Sequence, residues 1–204
     1  MLICGVMQLG FETVTSVKIL HTDLKDIDNK KLVDLCLSWR DKKIDKSPQA
    51  TGYEDSRIPD DPEVGNLRQK VNEMVKSRID NRYQLGEIWA HILEPMQSTM
   101  IHSHRNVKDH YNLFLSWVYY PHQHPTDAGG RLRFQIVSHM MMNNHEVTPK
   151  EGDIIFFPSF LNHYTTPNVG TEDRISISGN FRLKDEDYED VYRDQHSGIH
   201  AFYS

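Results

Sequence analysis

Residues 112–137 read NLFLSWVYYPHQHPTDAGGRLRFQIV. Two runs rich in β-branched and aromatic residues, 112–120 and 131–137, flank a turn-forming stretch at 125–130. The pattern predicts strand, turn, strand. Working outward, residues 87–93 and 97–104 read as further strands on the N-terminal side, and 153–157 and 174–182 on the C-terminal side. Turn signals at 149–152 and 167–170 separate them. Before this series the chain is helical in character. Short strands following helices predict an antiparallel sandwich or barrel with helices packed outside, a mainly β fold with flanking helices.

The N-terminal part supplies the helices. Residues 13–20 alternate and read as one strand. Asp28 opens a helix over 28–40, with Leu32, Val33, Leu35, Cys36 and Trp39 near one face. Residues 41–60 are polar and turn-rich and read as a surface loop. Asp61 then caps a second helix with Pro62 at its first position, and Val64, Leu67, Val71, Met74 and Val75 form its apolar stripe. The organisation expected is a single domain, 1–204. Residues 1–84 hold a strand and supporting helices, 85–183 the core, and 184–204 a charged tail that ends in Phe202 and Tyr203.

Composition bounds the partners. The 204 residues suit one domain with a sizeable core. A net charge of -6 gives no general attraction to nucleic acid or to anionic membrane. Residues 1–10 are apolar but short, with no basic region before them and no clear cleavage site, so they read as structure and not as a leader. No run approaches membrane-spanning length. Cys4 and Cys36 form neither a metal pair nor a disulfide framework, which fits a cytoplasmic location.

The chain has 12 histidines, most of them between positions 91 and 163. His102 and His104 end a strand-like segment. Residues i and i+2 of a strand share a face, so both imidazoles can reach one ion. His163 follows an apolar strand and a turn. Two close ligands and one distant ligand make a facial site with coordination positions left open. Iron(II) suits such a set, and zinc accepts the same donors. His122 and His124 repeat the spacing but sit in the turn and read as exposed. His110, His139 and His145 lack partners, and His21, His91, His196 and His200 read as surface or packing residues.

Arg174 opens a strand eleven positions beyond His163. Alternation puts Arg174, Ser176, Ser178 and Asn180 on one face, with Ile175 and Ile177 on the other. An arginine on an inward face beside small hydroxyl residues makes a fork for a carboxylate.

The motifs follow in a fixed order: His102-Ser103-His104, Leu115-Ser116-Trp117-Val118-Tyr119-Tyr120, and Gly130-Arg131-Leu132-Arg133-Phe134. Then come Val147-Thr148-Pro149-Lys150-Glu151-Gly152-Asp153, Phe156-Phe157-Pro158-Ser159, His163 and Arg174-Ile175-Ser176-Ile177-Ser178. In this series the chain resembles the iron(II)- and 2-oxoglutarate-dependent oxygenases, and more narrowly those with His-x-His followed by a Ser-Gly-Val-Tyr-Tyr-like strand. The resemblance implies a double-stranded β-helix (a cupin-like jelly roll) over 85–183, with the metal at its mouth. It implies His102 as first ligand, His104 where Asp or Glu is usual, and His163 as distal ligand. Arg174 would bind the far carboxylate of 2-oxoglutarate, helped by Ser176 or Tyr120. Iron(II), 2-oxoglutarate and O2 would then hydroxylate a substrate C–H bond.

Two departures stand out: Trp117 replaces the usual glycine, and Gly179 replaces a larger residue. The histidine at 104 keeps two alternatives open. One is a three-histidine cupin-type dioxygenase that ignores 2-oxoglutarate; the other is a non-catalytic metal-binding or assembly protein. The substrate, a small molecule, nucleotide or peptide, is not written in the chain, nor is the oligomeric state. Residues 41–60 and 105–112, with Arg105, Lys108 and His110, are expected to border the mouth.

Overall fold

The structure, a computed structural model, describes residues 17–42, 61–104, 113–122, 124–125, 127–138 and 141–184. The expectations for residues 1–16, 43–60, 105–112 and 185–204, and for His139, lie outside the described residues.

Among the described residues, eight strands and two helices run in the order β1 (Leu20–Asp23), α1 (Asn29–Lys42), α2 (Pro62–Arg78), β2 (Tyr83–Leu93), β3 (Leu113–Tyr119), β4 (Leu132–Ser138), β5 (Met141–Val147), β6 (Asp153–Pro158), β7 (Asn162–Thr165) and β8 (Arg174–Leu183). They form a five-stranded sheet of order β1-β6-β3-β8-β2 and a three-stranded sheet of order β5-β4-β7. All described pairings are antiparallel. This is the jelly roll expected, with both helices on one face of the larger sheet.

Period-two alternation sorts the side chains of that sheet. Ile88, Ala90 and Ile92 of β2, Leu115, Trp117 and Tyr119 of β3, Ile154 and Phe156 of β6, and Ile175, Ile177 and Phe181 of β8 pack with the helices. There they meet Leu32 and Cys36 of α1 and Val64, Leu67, Val71 and Val75 of α2. The opposite face turns Val118, Ile155 and Phe157 toward Leu132 and Phe134 of β4 and Val147 of β5, forming a second apolar core between the sheets. The polar residues of β8 share that inner face.

The helix starts follow the capping rules. Asp28 accepts the Lys31 N–H at 3.0 Å, and Asp61 accepts the Glu63 N–H at 2.7 Å. Glu63 in turn accepts the Asp28 N–H at 2.9 Å, tying the two helix starts together.

Several strand expectations need correction. The first strand is Leu20–Asp23, while 17–19 are not in a strand. Pairing with β6, in register from Leu20↔Phe156 to Asp23↔Asp153, decides where it lies. Residues 97–104 are not a strand. Met96 takes φ +69, and the backbone that follows bonds to the 165–168 loop, with Asn168 N–H donating to Gln97 O at 2.9 Å. One isolated bridge joins His102 to His163. Strands β5 and β7 were not expected. β5 carries Asn143-Asn144 at its centre, and β7 has only four residues, yet both are fixed by pairing along β4.

Candidate active site

The three histidines reach the site by different routes. His163 lies in β7, paired across from Phe134 of β4. His102 is held against it by two backbone bonds, each N–H donating to the other's carbonyl at 3.0 and 2.9 Å. His104 is held by its N–H donating to Ser159 O at 2.9 Å. The His-x-His pair therefore shares a face without a strand to carry it, because His163 and Ser159 supply the alignment.

One potential ligand atom from each ring lies within 4.8 Å of the others. Their Nδ1 atoms are engaged: His102 with Met100 O at 2.8 Å, His163 with Leu161 O at 2.9 Å, and His104 with Asn180 Oδ1 at 2.7 Å and Ser116 Oγ at 2.8 Å. Carbonyl oxygens only accept, so Nδ1 carries the proton in all three rings and Nε2 keeps its lone pair. That is the tautomer a metal ion requires. Burial, opposed by the Asn180 bond, holds His104 down at about 4. Burial and the neighbouring His102 and His104 push His163 well below its usual value. Three imidazoles offering Nε2 in this way fit a divalent metal such as iron(II).

Beside it opens a cavity of about 420 Å³, open mouth included. None of its lining residues is Asp or Glu. Arg174 reaches into it from β8, only 3 % exposed. Its guanidinium donates to Ser176 Oγ at 3.1 Å and to Tyr120 Oη at 3.2 Å, and lies 5.1 Å from the Tyr120 ring centroid. No carboxylate among the described residues pairs with it. A buried guanidinium with two neutral partners retains unused donors, and a carboxylate ligand fits that vacancy of charge. The cavity thus joins three histidines that could hold one metal ion to a buried guanidinium.

The family model described as "Putative 2OG-Fe(II) oxygenase" matches residues 87–180. This segment is a 2OG-Fe(II) oxygenase core. Among solved structures, the chain is similar to a Pseudomonas putida prolyl-4-hydroxylase at 17% identity and TM-score 0.59, over 81% of this chain and 92% of that one. It is also similar to the α-ketoglutarate-dependent carbocyclase SnoK from nogalamycin biosynthesis (12% identity, TM-score 0.64, 81% and 79% covered). A third similar structure is a prolyl hydroxylase from Trichoplax adhaerens with a bound hypoxia-inducible-factor peptide fragment (13% identity, TM-score 0.60, 85% and 86% covered). At these identities the structures show the shared fold. A search of curated protein sequences finds no match. Within the matched segment, His102, His104 and His163 form a group that could hold a metal ion.

Every site residue expected from the sequence (His102, His104, His163, Arg174, Ser176 and Tyr120) meets at this cavity. Sequence reasoning missed the supports. Asn180, 5 % exposed, and Ser116, fully buried, orient His104, and Ser116 Oγ–H also donates to Asn180 Oδ1 at 2.8 Å. The parity of β8 placed Asn180 on the inward face but gave it no partner. His91 was expected on the surface or in packing, yet it lines the cavity. His122 and His124 are half-buried and not solvent-exposed as expected, and His124 lies against Gly130. His21, expected on the surface or in packing, is exposed, and His145, which the sequence left without a metal-site partner, is exposed as well. No helix among the described residues is long and apolar enough to cross a membrane.

Proposed function

We propose that His102, His104 and His163 hold iron(II) and that Arg174 anchors the far carboxylate of 2-oxoglutarate, with Ser176 and Tyr120 holding the guanidinium in place. When bound, iron(II) supplies the oxidation: 2-oxoglutarate and O2 become succinate and CO2 as one oxygen atom enters a substrate C–H bond. The chain supplies orientation and charge. Nδ1–H bonds to Leu161 O, Met100 O and Asn180 Oδ1 keep the three Nε2 lone pairs available. Tyr120 stays a neutral phenol, since burial raises its pKa against the pull of Arg174, so it donates or accepts without adding charge.

The observation that carries this reading is Arg174, buried without an acidic partner in a cavity that has no carboxylate lining. It favours 2-oxoglutarate use over a three-histidine cupin dioxygenase, for which the guanidinium would have no ligand. Substrates are small molecules or peptides, and the setting is cytoplasmic. One catalytic unit spans 1–204, with 85–183 as its core, 1–84 as support and 184–204 as a tail.

The test is anaerobic titration of iron-loaded protein with 2-oxoglutarate, following the charge-transfer absorption of chelation. A saturable band is expected in the wild type. Arg174→Leu should retain iron and weaken 2-oxoglutarate binding about tenfold or more, as expected for lost hydrogen bonds to a charged group. No band in iron-replete wild type would favour the cupin-type alternative, and failure of the histidines to retain iron would favour a non-catalytic role.

A further inference from the structure

His91 belongs to neither the metal set nor the carboxylate fork, yet it lines the same cavity. It stands on the inner face of β2 directly across from Ser176, with Leu93 across from Arg174 one inward position further along. Its Nε2 accepts the indole N–H of Trp89 at 2.5 Å. An indole nitrogen only donates, so Nε2 is unprotonated and a neutral ring must carry its proton on Nδ1. Burial, then Arg174, His102 and His104, hold the imidazole neutral, with a pKa of about 3.

Nδ1–H has no hydrogen-bond partner among the described residues. Because His91 lines the cavity, that N–H is available to donate to a ligand oxygen that enters it. Trp89 is itself fixed, its ring set edge-on to His104 with centroids 5.5 Å apart. His91 thus lies between the guanidinium end and the histidine end of the cavity, its one donor committed to neither.

We propose that His91 is a binding residue for the oxoacid, donating Nδ1–H to one of its oxygens, and that Trp89 positions it by fixing the tautomer. This rests on the 2-oxoglutarate reading above. A mutant comparison separates the two, because wild type that retains iron but gives no chelation band overturns that reading before His91 is in question.

Given a wild-type band, iron content and 2-oxoglutarate Kd are measured for three variants. His91→Phe should keep its iron and raise Kd about tenfold or more. His91→Asn, whose amide N–H stands close to the place of Nδ1–H, should recover most of that loss. Trp89→Phe, which frees Nε2 to take the proton, should raise Kd while leaving His91 in place. His91→Phe binding as wild type does, or His91→Asn binding no better than His91→Phe, would overturn the assignment. Wild-type affinity in Trp89→Phe would overturn the tautomer role. If His91→Phe fails to fold, the asparagine and Trp89 variants decide: a wild-type Kd in both, or loss of iron from His91→Asn, counts against the proposal.

Discussion

Gly179 of β8 stands directly across from Trp117 of β3, and a Cβ built on the glycine falls 2.7 Å from the indole atoms Cε2, Cζ2 and Nε1. Each residue departs from the pattern of the oxygenases the chain resembles, and the structure makes the two departures one. The large indole, fully buried against the helices, occupies the space that a side chain at 179 would take. Gly179→Ala should therefore destabilise by about 1–3 kcal/mol through overpacking. Combined with Trp117→Leu, it should cost less than the sum of the single changes, and a double-mutant cycle from urea unfolding measures the difference.

Asn180, the next residue, acts through His104 by accepting its Nδ1–H. Asn180→Ala should lower iron affinity about 10- to 100-fold, the usual effect of removing such a support, with little change in the circular dichroism spectrum. A competition titration against a chelator reads it.

Helix α2 shows how an element is legible while its purpose is not. Its stripe, cap and proline were readable from the sequence, and Val64, Leu67, Val71 and Val75 are buried as the period requires. Leu67 is fully buried in the core that backs β2 and β8. Leu67→Ala should cost about 2–5 kcal/mol in urea unfolding. The helix lies on the far side of the sheet from the cavity, so residual folded protein should keep the wild-type ratio of iron bound per chain. Strand β7 is the opposite case. Four residues carry too little pattern to announce a strand, and only pairing with β4 turns His163 into the site.

Across the whole molecule, the site collects neutral imidazoles away from water. His91 and His104 sit at about 3 and about 4, and His163 well below its usual value, all mainly through burial. The unfolded chain titrates these groups near 6.5 and binds more protons than the folded chain below that pH. Their contribution to stability is fully present above about pH 6.5 and is lost as pH falls toward the folded values. Metal-free protein should therefore unfold at lower urea concentration at pH 5 than at pH 7.5. Each of the three histidines contributes up to about 2 kcal/mol to that difference. Equal midpoints at the two pH values would contradict it.

The sequence by itself determined the strand-rich core, the helical support, the three histidines and Arg174. These rest on local periodicity and residue chemistry, which each segment carries alone. Only the tertiary structure decided that 97–104 is not a strand, and that Asn180 and Ser116 orient His104. It also joined Trp117 to Gly179 and brought His91, with its proton fixed by Trp89, to the cavity wall. The orientation of His104 and the Trp117–Gly179 fit are set by register between strands far apart in the chain, and the placing of 97–104 by contacts with the 165–168 loop and His163. His91 and Trp89 share one strand, but the cavity they face exists only once β8 and the histidines are folded against it. No single segment records any of these.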